Sequence, residues 1–194
     1  MEKTERAVNQ SAVTARAFAW ILDWIVGSIL ISLPAIIVFA IVDGKGTVFS
    51  NLYVFEAMGE SSWYAILVGL ACLLSGFVYY VIVPWKILPG QTLAKKWLHL
   101  KIIKIDGGQP QLKDYLLRQF VFLFLIEGIA TGAGSYILPI ITTISRYYID
   151  SYVMIVWTIL TITTIMFVLV NKKHRALHDF AAKTIVISSQ EGKS

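Results

Sequence analysis

Residues 16–42 read RAFAWILDWIVGSILISLPAIIVFAIV, an apolar run with Arg16 at its start and one ionisable residue, Asp23, inside it. At ~1.5 Å per helical residue the run reaches ~39 Å, enough to cross a ~30 Å hydrocarbon layer with tilt. It is read as a membrane span. A carboxylate at this position costs ~2.5–3.5 kcal/mol or more unless it is paired, protonated or wetted. Arg16 lies on nearly the same helix face, but helical side chains lean toward the N-terminus, so it leans away from Asp23. The partner of Asp23 is therefore expected on another helix or in water.

Working outward, the whole chain has the composition of a membrane protein. Of its 194 residues 57% are hydrophobic and 15% charged, less charge than a soluble domain carries. The net charge of +5 does not form one basic patch, so nucleic acid is not an expected partner. Cys72 is the single cysteine, which rules out an intrachain disulfide and leaves a packing role. The first span is too long for a signal peptide and lacks a small-residue exit site, so it is read as retained.

Further spans follow at Trp63–Trp85, at Phe120 to about Ile144, and at Tyr152–Val170. Tyr79, Tyr80 and Trp85 at one end of the second span, and Trp63 and Tyr64 at the other, read as interfacial aromatic belts. The third span contains Glu127, a small-residue spacing at Gly128 and Gly132, and a TGAG run and Pro139 that offer a place to bend. The hydroxyls of the Thr-rich fourth span can bond the preceding turn. Of the 17 Lys and Arg residues, all but Lys45 and Arg146 fall on one side of this arrangement. The positive-inside rule then places both termini and the loop 86–114 in the cytoplasm. The expected fold is an all-α membrane protein with four transmembrane helices and a short cytoplasmic β-strand pair. The strand pair is expected from the alternation of Leu98, Leu100 and Ile102 with His99 and Lys101, and from the β-type run 184–187. Thr92 is expected to cap a short helix carrying Lys95 and Lys96.

Arg16, Asp23 and Asp179, together with Gly90, Gln91, Thr92, Lys95 and Lys96 in the loop and Arg175 and His178 in the tail, give the chain its resemblance to the RDD family of bacterial membrane proteins. The resemblance covers roughly residues 14–188. It implies a cytoplasmic tail at 1–15, an RDD-type four-helix domain at 16–188 and a disordered tail at 189–194, in a multi-pass protein of the bacterial plasma membrane. The chain departs from the family pattern where Leu93 and Ala94 replace a proline-glycine type pair, and where Lys183 replaces a glycine before the last strand. Some family members resemble cation/proton antiporters, and others resemble accessory partners of membrane enzymes.

Two functional readings follow. In the first, Arg16, Asp23 and Glu127 line an intramembrane ion path in a cation/proton-coupled carrier, the two carboxyls sharing a proton. In the second, the protein is a non-catalytic partner that regulates or scaffolds another membrane protein. Gln91, Thr92, Lys95, Lys96, Arg175, His178 and Asp179 are read as a cytoplasmic cluster tying the tail to the loop. His174 and His178 lack a Cys or Glu to complete a metal site, so neither a metal nor a cofactor is expected. No nucleophile with its base, phosphate-cradling loop or HExxH helix is present, so an enzyme is not expected. The lipid bilayer itself, anionic lipid headgroups at the lysine loop, a second copy of the chain and another membrane protein are the candidate partners.

Overall fold

The computed structural model describes residues 2–126, 128–170 and 175–188. The first helix, α1 (Glu2–Asp43), continues through Pro34. It is helical from Glu2, where a tail turning helical near Thr14 is expected from sequence. The expected disordered tail, 189–194, lies outside the described residues. Every fourth residue of α1 from Ala19 onward is buried: Ala19, Asp23, Gly27, Ile31, Ala35 and Phe39. Residues four apart share a helix face, so Asp23 stands in the stripe that packs against the bundle. Phe18, Ile25, Ile29 and Ile37 on the other faces are exposed, as lipid-facing side chains are.

After the short α2 (Tyr53–Ala57), α3 (Ser62–Phe77) runs back and continues as a π-helix over Val78–Ile87. The main core lies between these helices. Ile31, Ala35 and Phe39 of α1 meet Ala65, Val68 and Cys72 of α3, with Phe55 of α2 closing one end. The buried Cys72 thus serves packing.

The loop that follows carries α4 (Leu93–Trp97) and β1 (Leu100–Lys104). Thr92 accepts a hydrogen bond from the Lys95 amide, capping α4 as its position predicts. β1 pairs antiparallel with β2 (Thr184–Ser188), Ile102 opposite Val186 and Lys104 opposite Thr184. Leu100, Ile102 and Val186 face inward onto Ala19, Val81 and Tyr115, so the two-stranded sheet is sealed by one end of the bundle. A free two-stranded sheet is marginal in water; this one is held by that second core.

The third apolar segment is a broken element. It comprises α5 (Leu112–Tyr115), a π-helix at Leu116–Ile126, a 3₁₀ turn at Gly128–Thr131 and α6 (Gly134–Ser145). The break falls in the TGAG run, where Gly132 has φ +72° and a Cβ would stand 2.8 Å from the Ser28 hydroxyl. Only glycine takes that conformation without strain. Gly128 and Gly134 lie against the Trp157 ring, which an added Cβ would approach to 2.7 and 2.6 Å. The small residues therefore form the seam that admits α7 (Asp150–Val170). Thr158 and Thr163 of α7 donate to the carbonyls of Met154 and Ile159, both at 2.7 Å. These two hydroxyls are satisfied within their own helix. Among the described residues three helices, Thr14–Asp43, Ser62–Ile87 and Asp150–Val170, are long and apolar enough to cross a membrane, and α6 is a shorter apolar helix.

A last helix, α8 (Leu177–Ala181), leads into β2 through Lys183, whose φ is +51°. Lys183 carries a side chain at a position where its backbone is left-handed, a conformation costing such a residue ~1 kcal/mol. Lys183→Gly is expected to raise the unfolding free energy by ~0.5–1 kcal/mol. Denaturant titration in detergent reads this directly, and an unchanged or lowered midpoint would contradict the assignment of strain.

Candidate functional site: two buried carboxylates at one end of the bundle

Asp23 is 4% exposed, and three donors converge on its carboxylate. Tyr79 Oη donates to Oδ1 at 2.7 Å, while Thr92 Oγ1 and Lys95 Nζ donate to Oδ2 at 2.7 and 2.5 Å. Tyr80 Oη donates to the backbone carbonyl of the same residue at 2.8 Å. Gly27, one turn on, makes room for this phenol: a Cβ there would stand 2.1 Å from Tyr80 Oη. The partner of Asp23 is thus a re-entrant piece of the loop together with the second span. Thr92 does two things, capping α4 with its lone pair and giving its proton to Asp23, which orients Lys95 one turn later.

Tyr79 and Tyr80 are the residues the sequence reading missed. Expected in an interfacial belt, both are 2% exposed. They are neighbours in sequence, and the π-helical turn from Val78 brings both to the face that meets Asp23. Two adjacent aromatics whose hydroxyls require partners when buried were the available signal.

The second centre is Asp179, also 4% exposed. Arg118 Nη1 pairs with its Oδ1 and also donates to Thr184 Oγ1 at 2.8 Å. The Thr184 hydroxyl donates to Oδ1 at 3.2 Å, and the Ala176 amide donates to Oδ2 at 3.1 Å. Arg175 donates from Nη2 to the Asp179 carbonyl at 2.8 Å and from Nε to that of Thr184 at 3.2 Å. Its guanidinium lies 3.9 Å over the Phe180 ring, which packs edge-on against Phe167 of α7. Arg16 Nη2 donates to the Val186 carbonyl of β2. Burial raises the Asp179 carboxyl, but Arg118, then His178, the Ala176 amide and Arg16 outweigh it and hold the group below the ordinary carboxylate value.

The tail is therefore tied to the first and third apolar segments, and the lysines of the loop are not its anchor. Lys95 belongs to Asp23. Lys96 is exposed, and Gln91 donates to the Leu100 carbonyl at 2.7 Å, bracing the turn into β1. Glu127 and His174 lie outside the described residues, so the expected Asp23 and Glu127 pairing has no geometry here. Among the described residues no group of three His, Cys, Asp or Glu side chains could hold a metal ion.

Three cavities lie in sequence along α1. One of about 300 Å³ opens at the strand-bearing end between α1, α7 and the tail. A hole of about 30 Å³ follows beside Asp23, sharing Trp20, Lys95, Arg118 and His178 with the first. Such a hole has room for water among polar partners. The third, about 660 Å³, is lined by Ser28, Ser32 and Ser135 toward the opposite end and shares Trp24 with the hole.

An apolar helical bundle with two buried, ion-paired carboxylates and a small sheet clamped to one end defines an integral membrane protein. The family model for the RDD family matches residues 11–183, most of the chain, and the protein belongs to that family of membrane proteins. No curated protein and no solved structure matches the chain.

Proposed function

We propose that the protein is a carrier exchanging a monovalent cation for a proton at the Asp23–Lys95 pair, with its strand-bearing end in the cytoplasm. The observation that carries this reading is the surroundings of Asp23. A buried carboxylate is already faced by two hydroxyl oxygens, those of Tyr79 and Thr92, and its countercharge is the Lys95 ammonium. Carboxylate and hydroxyl oxygens suit a hard cation.

The exchange balances in charge. An arriving cation takes the place of Lys95 Nζ on the Asp23 carboxylate while Lys95 becomes a neutral amine and releases one proton; reversal returns the ammonium. The site holds one positive charge in both states. Arg16 and Arg118 nearby disfavour a second cation, which keeps the exchange one for one. The cavities on either side of Asp23 supply the wet approaches, and the Trp20 and Trp24 rings stand between them. The excess of basic residues at the strand-bearing end supports the orientation, and the broken segment from Leu116 to Ser145 supplies the fourth crossing. In this reading Lys95 holds the exchanged proton, a role that the sequence alone assigned to a shared proton between Asp23 and Glu127.

Proteoliposomes carrying an internal pH dye test it. Wild type is expected to acidify or alkalinise the lumen on a sodium gradient, and Asp23→Asn and Lys95→Met are each expected to reduce this at least tenfold. Flux retained in Lys95→Met but lost in Glu127→Gln would return the proton to the carboxyl pair. No flux in the wild type, with a membrane protein copurifying in stable ratio, would replace the carrier with the partner reading.

A further inference from the structure

Gln119 is a buried polar residue whose side chain the fold leaves unused. It follows Arg118 in the π-helix Leu116–Ile126, and both residues are 3% exposed. The two neighbours are turned inward together, as Tyr79 and Tyr80 are in the π-helix from Val78. Arg118 is taken by Asp179. No hydrogen bond joins the Gln119 side chain to another described residue. A buried amide left unbonded is costly, and in native proteins such a group ordinarily serves a water, an ion or a ligand.

Gln119 lines the hole of about 30 Å³ beside Asp23, together with Lys95, Tyr80, Trp20 and Trp24. Arg118 and His178 border it as well, and the charge of Arg118 is matched by Asp179. The walls are set by packing. Tyr80 Oη is held by the Asp23 carbonyl at 2.8 Å, and a Cβ on Gly27 would stand 2.1 Å from it. A water molecule's share of the liquid is also about 30 Å³, so a cation entering here leaves most of its hydration shell outside. It must then find oxygens in the protein.

We infer that Gln119 is a ligand of the exchanged cation, its amide oxygen joining the Asp23 carboxylate in a site that takes a small monovalent cation and rejects a larger one. Carboxylate and amide oxygens are ligands that hard cations take from proteins, and the size and rigidity of the space choose among such cations. Potassium would have to push back Tyr80, which Asp23 itself holds. The amide is neutral, so it adds a ligand without adding a charge, and the one-for-one replacement of the Lys95 ammonium is unaffected. The site rests on the exchange reading only in that Asp23 is the residue a cation meets.

Binding is read without transport, from the melting temperature of the full chain in uncharged detergent with sodium, potassium or choline chloride at equal concentration. Sodium is expected to raise the melt of wild type above its value in choline, with an apparent affinity about tenfold greater than that of potassium. Lys95→Met removes the competing ammonium, so its sodium shift should be larger. Gln119→Met keeps the length of the side chain without its oxygen; it should weaken sodium about tenfold and erase the preference over potassium. Each variant is referred to its own melt in choline, so a loss of stability does not disguise the result. Equal sodium and potassium shifts in wild type, no sodium shift in either wild type or Lys95→Met, or an undiminished preference in Gln119→Met would each overturn the site. Sodium-selective binding that needs Gln119, without flux in proteoliposomes, would uphold the site and remove the exchange.

Discussion

Replacing Arg118 with methionine is expected to lower the unfolding free energy by ~3–5 kcal/mol, because it leaves the buried Asp179 carboxylate without its cation. The remaining hydrogen-bond donors, the Thr184 hydroxyl and the Ala176 amide, satisfy lone pairs, and the charges of His178 and Arg16 act on the carboxylate without the direct pairing that Arg118 makes. Asp179→Asn removes the charge itself and should cost less, ~1–3 kcal/mol, through an imperfectly matched hydrogen-bond set. The pH dependence follows from the depressed carboxyl of Asp179. A carboxyl whose folded value lies below its unfolded value of ~3.9 binds more protons when unfolded. Its stabilising contribution is complete above the unfolded value and is lost as pH falls through the folded one. The wild type should therefore lose stability below about pH 4, and Asp179→Asn should lack that part of the acid loss. Denaturant titrations in detergent across this range give the result; an Arg118→Met midpoint equal to that of wild type would show that the pair contributes nothing.

The second large effect is expected at Asp23. Lys95→Met strands a carboxylate in the span and should cost ~3 kcal/mol, the low end for a broken buried pair because Lys95 is 14% exposed at its side chain. Tyr79→Phe removes one hydrogen bond to a charged acceptor and should cost ~1.5–3 kcal/mol. Asp23→Asn relieves the stranded charge, so the Asp23→Asn, Lys95→Met double variant should be more stable than the sum of the single losses by ~1–3 kcal/mol. Strict additivity would mean that the two side chains do not meet. This cycle is read by stability alone, so it tests the contact separately from any transport.

The two centres divide the fold's work. Asp23 pulls α4 and the loop onto the membrane helices, while Asp179 with Arg16, Arg118 and Arg175 pins the tail to the same end. Between them lie β1 and β2, which pair because both flanking segments are held in place. At the opposite end Tyr53 Oη and Thr142 Oγ1 donate to Asp150 at 2.9 and 2.7 Å, and on the surface Arg146 reaches Glu56 at 3.1 Å and Ser62 at 3.0 Å. Exposed pairs of this kind contribute little.

Much of this was legible in the residues, and for definite reasons. An apolar run as long as 16–42 has few fates other than crossing a bilayer, since in hydrocarbon the backbone must satisfy itself within the helix. The alternation about Leu100 and Ile102 fixes a strand's inward face by its period of two. The cost of an ionisable group in a span marked Asp23 as needing a partner from elsewhere, and of the two places marked for a bend in the third segment the TGAG run is where it breaks, while α6 runs through Pro139. These are properties of single segments, carried by spacing and by the preferences of individual residues. Which donor meets which carboxylate is a property of pairs far apart in the chain. Lys95 lies 72 residues from Asp23, and Arg118 lies 61 from Asp179; several other lysines and arginines had equal claim by charge alone. The choice was made by the π-helical turns at Val78 and Leu116, which depart from the 3.6-residue period, and by the threonines that cap and brace each centre. Tertiary structure decided it, because a buried charge accepts whichever opposite charge the packed backbone can deliver within hydrogen-bonding distance, and one-dimensional spacing does not encode that delivery.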